Sequence, residues 1–223
     1  MDLHQTELAS QWITLLAAGM LVIQLLMVVQ RMLLTSIRLF ALQSLMLAAI
    51  AAIIAYFHNN ATHVYVVAVL TLAGKVFFLP WLLNRLVRRI KIDQEIAPLL
   101  NSTASMLLCG ALTLLGYIVA RPFTSLERLG NNTLGIAITL LLTGFFLMFN
   151  RRKAITQVLA LLTVENGVML AAVALTTYGM PLVVELGIFF DVMVAVMVLG
   201  ILVYRIRETF ASMDVRKLSQ LRG

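Results

Sequence analysis

With 61% hydrophobic and 12% charged residues over 223 positions and a mean hydropathy of +0.98, the chain carries more apolar surface than one soluble core can hide. That excludes a soluble enzyme or binding domain and implies an integral membrane protein. The net charge of +7 does not argue for nucleic acid, because the basic residues fall in short clusters between apolar runs, where membrane topology accounts for them. The partner expected from composition is a lipid bilayer, with no nucleic acid.

The amino terminus, MDLHQTELASQ, has neither the positive stretch nor the small-residue cleavage site of a secretory signal. The first apolar segment is therefore expected to be retained. A spanning helix needs about 20 mostly apolar residues, and the chain offers seven such segments. They run over Trp12–Gln30, Arg38–Phe57, Val64–Leu83, Leu99–Ala120, Thr133–Phe149, Ala154–Tyr178 and Pro181–Tyr204. The predicted fold class is all-α, a polytopic membrane protein of about seven transmembrane helices joined by short loops.

Lys and Arg are distributed unevenly between the two sides of that arrangement. Arg31, Arg38, Arg85, Arg88, Arg89, Lys91, Arg151, Arg152, Lys153, Arg205, Arg207, Arg216, Lys217 and Arg222 fall on one side, and only Arg121 and Arg128 on the other. By the positive-inside rule this bias predicts the N-terminus outside and the C-terminus cytoplasmic. An internal duplication is also suggested: MLAAIA at Met46–Ala51 recurs as MLAAVA at Met169–Ala174, which would make a 3+1+3 parallel repeat. Short matches in Ala- and Leu-rich sequence also arise by chance, so both readings stay open.

Four ionisable residues lie inside apolar segments. Lys75 is in the third, Glu165 in the sixth, and Glu185 and Asp191 in the seventh. Counting 1.5 Å per residue puts Glu165 about 16 Å from its membrane surface, Asp191 about 14 Å from the opposite one, and Lys75 about 16 Å in. Three groups on three helices thus share the middle of a hydrocarbon layer about 30 Å thick. Glu185 lies one turn below Pro181, where water can reach it from the outer face. Ionisable side chains at mid-membrane are functional candidates by default, and a row of them can pass protons or transmit a charge change along the membrane plane. The alternative is a static ion pair that fixes helix packing.

The other polar residues carry weaker signals. His58 and His63 flank an external loop, without a third metal ligand near. Gln43 and Asn166 are expected to hydrogen-bond between helices, and Gly167, Gly187 and Gly200 to permit close helix approach. Cys109 alone makes no disulfide or thiolate metal set and is expected to be a small packing residue. No CxxC set, phosphate loop or Ser/His/Asp arrangement occurs, so neither a catalytic centre nor a metal or cofactor site is expected in this chain. After Tyr204, Phe210, Met213, Leu218 and Leu221 could line one face of an interfacial helix or partner-docking segment. RLVRRIKIDQEIAPLL, after the third segment, admits the same two options.

The basic turn Arg151–Lys153, the mid-helix Glu165 in LLTVENGVMLAA, the acid in the seventh segment and the tail ending Leu221-Arg222-Gly223 carry a resemblance. Over about Thr133 to Gly223 the chain resembles the K-type (4L) subunit of NADH:quinone oxidoreductase and the C-type subunit of multisubunit sodium/proton antiporters. In the K-type pattern two buried Glu residues on adjacent helices take part in proton translocation. Glu165 matches the first, and Asp191 falls at the second, with a side chain shorter by a methylene. With four more helices in front, the full chain resembles the E-type membrane component of hydrogenase-4 and related formate hydrogenlyase complexes.

That resemblance implies a division into a four-helix region, 1–132, and a K-type-like region with a cytoplasmic tail, 133–223. It implies a non-catalytic subunit of a complex-I-like oxidoreductase in a bacterial or archaeal cell membrane, with Glu165, Asp191, Lys75 and Glu185 as proton-transfer residues. Its partners would be antiporter-like membrane subunits and a peripheral hydrogenase arm holding the nickel–iron centre and iron–sulfur clusters. A subunit of a cation/proton antiporter and a structural spacer in a membrane arm remain as alternatives.

Overall fold

The computed structural model describes residues 3–57, 68–69, 71–90, 98–126 and 132–175, together with Gly187, Met193, Val194, Met197 and Gly200. Every described element is helical: α1 (Leu3–Val29), α2 (Leu33–Phe57), a π-helical segment (Leu72–Phe78) continuing into α3 (Leu79–Ile90), α4 (Ser102–Ala120) with a 3₁₀ extension (Arg121–Leu126), α5 (Thr133–Asn150) and α6 (Ala154–Leu175). Among these, five helices, α1, α2, α4, α5 and α6, are long and apolar enough to cross a membrane. The chain is a multi-pass membrane protein. Most of the seventh predicted segment, Pro181–Tyr204, lies outside the described residues, as do His58, His63 and the tail after Tyr204.

The predicted bounds hold closely for α4, α5 and α6. The first two helices begin earlier than predicted, because Leu3–Gln11 and Leu33–Ile37 have no helix breaker and simply continue the hydrogen-bonded ladder. The third departs more. Around Lys75 the helix widens to i→i+5 bonding, with the Leu79 N–H donating to the Gly74 carbonyl. Pro80 supplies the local reason: it has no N–H to donate, and its ring would clash with a carbonyl one α-turn back. Beyond it, α3 buries Leu79, Leu82, Leu83, Leu86 and Val87, whereas Trp81, Arg85 and Arg88 are exposed. Arg85 lies 5.4 Å from the centre of the Trp81 ring, an aromatic–cation pair suited to a membrane interface. The RLVRR portion of the segment offered above as a rider or docking site thus continues the third helix, with Leu86 and Val87 committed to the bundle.

Short-range chemistry sets several helix ends. The Asn101 side chain accepts the Ala104 N–H at 2.9 Å and starts α4. Asn132, at φ 68°, takes the left-handed conformation before α5, which Asn tolerates better than most residues. At the end of α5, Asn150 accepts the Leu100 N–H through its side chain and donates to Ser105, tying α5 to the start of α4.

Arg151 was legible only as one member of a basic turn. It is instead buried, and its Nη2 donates to the carbonyls of Met27 (2.9 Å), Val28 (3.2 Å) and Gln30 (2.6 Å) at the end of α1. Carbonyls at a helix C-terminus lack intrahelical donors and carry partial negative charge. Arg151→Leu is therefore expected to destabilise the protein by roughly 2–4 kcal/mol, from the loss of charge-assisted hydrogen bonds. Denaturing-detergent titration of purified protein checks this, and a variant as stable as wild type would contradict the capping role.

Close helix contacts depend on small residues. A methyl group at Gly144 of α5 would stand 2.7 Å from Val164 Cγ2 and 3.2 Å from the Val164 nitrogen, and one at Gly167 would stand 3.1 Å from the Leu141 nitrogen. Gly144→Ala is expected to destabilise by about 1–3 kcal/mol through overpacking, read by the same titration; wild-type stability would refute the contact. Gly187 also fits the predicted close approach, with Met169 Sδ at 3.3 Å from such a methyl. At Gly200 no described residue lies within 4 Å of that position. Cys109 is fully buried in the core, as expected of a packing residue.

Two large apolar cores fill the bundle among the described residues, beside a small cluster of Ala120, Leu134 and Ala174. One contains Met27, Leu33, Phe40, Leu83, Leu147 and Leu162, and the other Ile13, Met20, Leu47, Ile50, Leu140 and Leu170. The MLAAIA and MLAAVA stretches both contribute to the second. Along α2 and α6 the chain passes from one core to the other through a few buried polar residues, and on α1 the buried Gln24 stands just past the same change.

Candidate functional site: a buried ion pair in a polar layer

Those residues form one layer between the cores. Gln24 follows the change of core on α1, with Met20 in the second core and Ile23 and Met27 in the first, Gln43 and Ser44 lie between Phe40 and Leu47, and Thr163, Glu165 and Asn166 between Leu162 and Met169. Lys75, from the π-helical segment, enters the same layer. All of these are buried, with Lys75 2% and Glu165 5% exposed. In such surroundings a polar group has to find its partners within the protein.

Lys75 and Glu165 come together as the sequence spacing suggested. Nζ is 2.8 Å from Glu165 Oε1 and also donates to Asn166 Oδ1 at 3.3 Å. Asn166 Nδ2 donates to Gln43 Oε1 at 3.2 Å and to Ser44 Oγ at 3.1 Å. Gln43 Nε2 donates to Gln24 Oε1 at 3.1 Å and to the Met20 carbonyl at 3.3 Å. The Gln24 amide in turn donates to Thr163 Oγ1 at 3.4 Å. A continuous path thus leads from the ion pair across α2 to α1 and back to α6.

Gln43 and Asn166 are interhelical hydrogen bonders as expected. Gln24, Ser44 and Thr163 were missed, although each is a polar residue in a run of apolar ones and that signal was available. Hydrogen bonds between membrane helices contribute about 0.6 kcal/mol each on average. The six in this layer amount to only about 4 kcal/mol, so the layer fixes geometry more than it supplies stability.

The position of the pair follows from its elements. Glu165 is eleven residues into α6, or about 16 Å at 1.5 Å per residue, and α6 is the most enclosed of the five described spanning helices: 67% of its apolar window is buried, against 22% for the Ser102–Phe123 span. On this face of α6, Glu165 meets protein. The widened turn carries Lys75 on the side of its helix that meets α2 and α6. Gly187 stands beside the pair, since a methyl placed on it would lie 3.7 Å from Glu165 Oε1. Asp191 and Glu185, the other two predicted members of the charge row, lie outside the described residues.

Chemically, an ammonium and a carboxylate at 2.8 Å are within direct proton-transfer distance. Moving one proton from Nζ to Oε1 leaves an amine and a carboxylic acid, both neutral. The pair can therefore exist charged or uncharged without a change in total charge, and a nearby charge biases that choice.

No protein-family model matches the chain, and no solved structure matches it. Among curated proteins it is 35% identical over 208 residues to an uncharacterized protein of Mycobacterium tuberculosis, covering 92% of this chain and 94% of that one. It is 27% identical over 185 residues to hydrogenase-4 component E of Escherichia coli, covering 82% of this chain and 85% of the relative. The same identity and coverage hold for hydrogenase-4 component E of Shigella flexneri.

Proposed function

This chain belongs to the same family as the Mycobacterium tuberculosis protein, and from that premise and its distant homology to hydrogenase-4 component E we propose that it is a membrane-arm subunit of a hydrogenase complex. It contributes no catalytic centre. Its task is to move protons within the membrane arm, or to couple that movement to electron transfer, through Lys75 and Glu165, with Asp191 and Glu185 continuing the row. The nickel–iron centre and iron–sulfur clusters belong to a peripheral arm, and antiporter-like subunits adjoin the chain in a bacterial or archaeal cell membrane. The chain crosses seven times with its N-terminus outside and its C-terminus cytoplasmic.

The observation that carries this reading is the Lys75–Glu165 contact of 2.8 Å at the centre of the most enclosed of the described spanning helices. Burying two charges there is a poor route to stability, because desolvation offsets most of their attraction. Apolar residues would hold the helices as well. The likeness to hydrogenase-4 component E favours a hydrogenase subunit over a cation/proton antiporter subunit. A purely structural lock is the second reading, favoured by the amide and hydroxyl partners that surround the pair. Glu165→Gln separates the two. Lost proton coupling in an assembled complex supports proton transfer, whereas lost assembly supports the lock.

A further inference from the structure

An amide side chain is nearly symmetrical in shape, so its orientation follows from what its neighbours can donate or accept. Two anchors orient this network independently. The Met20 carbonyl only accepts, so the end of the Gln43 amide 3.3 Å away is Nε2. The Thr163 hydroxyl donates to the Ala160 carbonyl at 2.7 Å, which leaves its oxygen as the acceptor and turns Gln24 Nε2 toward it. Gln24 Oε1 then faces Gln43 and again calls for Nε2 there. With Gln43 oriented from both ends, its Oε1 points to Asn166, which answers with Nδ2. Asn166 Oδ1 is thereby directed at Lys75.

We infer that Asn166 is a positioning residue that keeps Lys75 on a second, neutral acceptor whenever Glu165 carries a proton, with its orientation imposed by Gln43 and Gln24. The inference rests on the proton-transfer reading of the Lys75–Glu165 pair. A proton arriving from a hydronium ion or a neighbouring carboxylic acid forms an O–H bond on Glu165 and removes its negative charge, while Nζ keeps its own protons. Protonation weakens the hold of Glu165 on the ammonium, whereas the Asn166 carbonyl oxygen, 3.3 Å from Nζ, keeps its acceptor strength. Asn166 does not titrate, sits on the next residue of the same helix, and has both amide hydrogens committed to α2. Lys75 therefore stays within reach of Glu165 and is in place when the proton leaves.

Magnetic-resonance measurement of the dipolar coupling between Lys75 Nζ and Asn166 Cγ tests this in the full-length protein, labelled on lysine nitrogen and asparagine carbon and reconstituted in lipid bilayers. The Lys75 signal is assigned by its loss in Lys75→Met. The coupling is expected in wild type, retained in Glu165→Gln, which mimics the protonated state, and lost when Gln43→Met is added. Disappearance of the coupling in Glu165→Gln would overturn the inference, as would its persistence in the double variant. Should Glu165→Gln not fold, wild-type bilayers taken to acid pH provide the same comparison: persistence supports the second acceptor and loss refutes it. Undiminished proton transport in Glu165→Gln would remove the proposed coupling role while leaving the dipolar result intact, so the two failures are distinguishable.

Discussion

Replacing Lys75 by methionine is expected to destabilise the protein by about 3–5 kcal/mol, the usual consequence of removing one member of a buried ion pair. The substitution preserves much of the side-chain volume and lets the π-helical turn keep its contacts, so the loss is mainly electrostatic: it takes away the ammonium 2.8 Å from Glu165. Adding Glu165→Leu to Lys75→Met is expected to recover most of that loss, because a buried pair replaced by apolar residues is often close to neutral in stability. Unfolding in mixed micelles by a denaturing detergent, carried out on both single variants and the double variant, measures the interaction directly. Single and double effects that simply add would mean that the two side chains do not interact in the folded protein.

Glu165→Gln is expected to act differently. The substituted amide is close to the carboxylate in size and still offers Lys75 a carbonyl oxygen, and Asn166 Oδ1 remains at its side. Folding and assembly should therefore survive far better than in Lys75→Met. What the amide cannot do is accept a proton and release it again. Proton movement per turnover is expected to fall at least about tenfold, equivalent to about 1.4 kcal/mol on the barrier of the coupled step. Abundance of the assembled complex, measured on the same membranes, separates this outcome from misassembly.

Much of the architecture was legible because a bilayer imposes simple rules. Apolar runs of about 20 residues have to be helices, and α4, α5 and α6 follow the predicted segments closely. The convergence of Lys75 and Glu165 was also legible, since rise per residue fixes depth even when rotation about the helix axis is unknown. Rotation is what the sequence conceals. Amphipathic periodicity reports a water-facing side, and a helix surrounded by lipid and protein has none. That is why Gln24, Ser44 and Thr163 could not be assigned to a shared layer although each stood out in an apolar run. Arg151 was concealed for another reason: a basic residue beside a helix end satisfies the positive-inside rule whether it faces water or caps α1. The widened turn at Lys75 requires the combination of Pro80 and tertiary packing, and nothing in the hydropathy marks it.

Participation of Glu165 in proton movement is the central claim. The direct test is the pH gradient formed across membrane vesicles containing the whole complex, with hydrogen-linked electron transfer followed in parallel and equal amounts of assembled complex in each sample. With Glu165→Gln, the protons moved per electron are expected to fall at least about tenfold below wild type. A gradient of wild-type size per electron would contradict the proposed role of the Lys75–Glu165 pair.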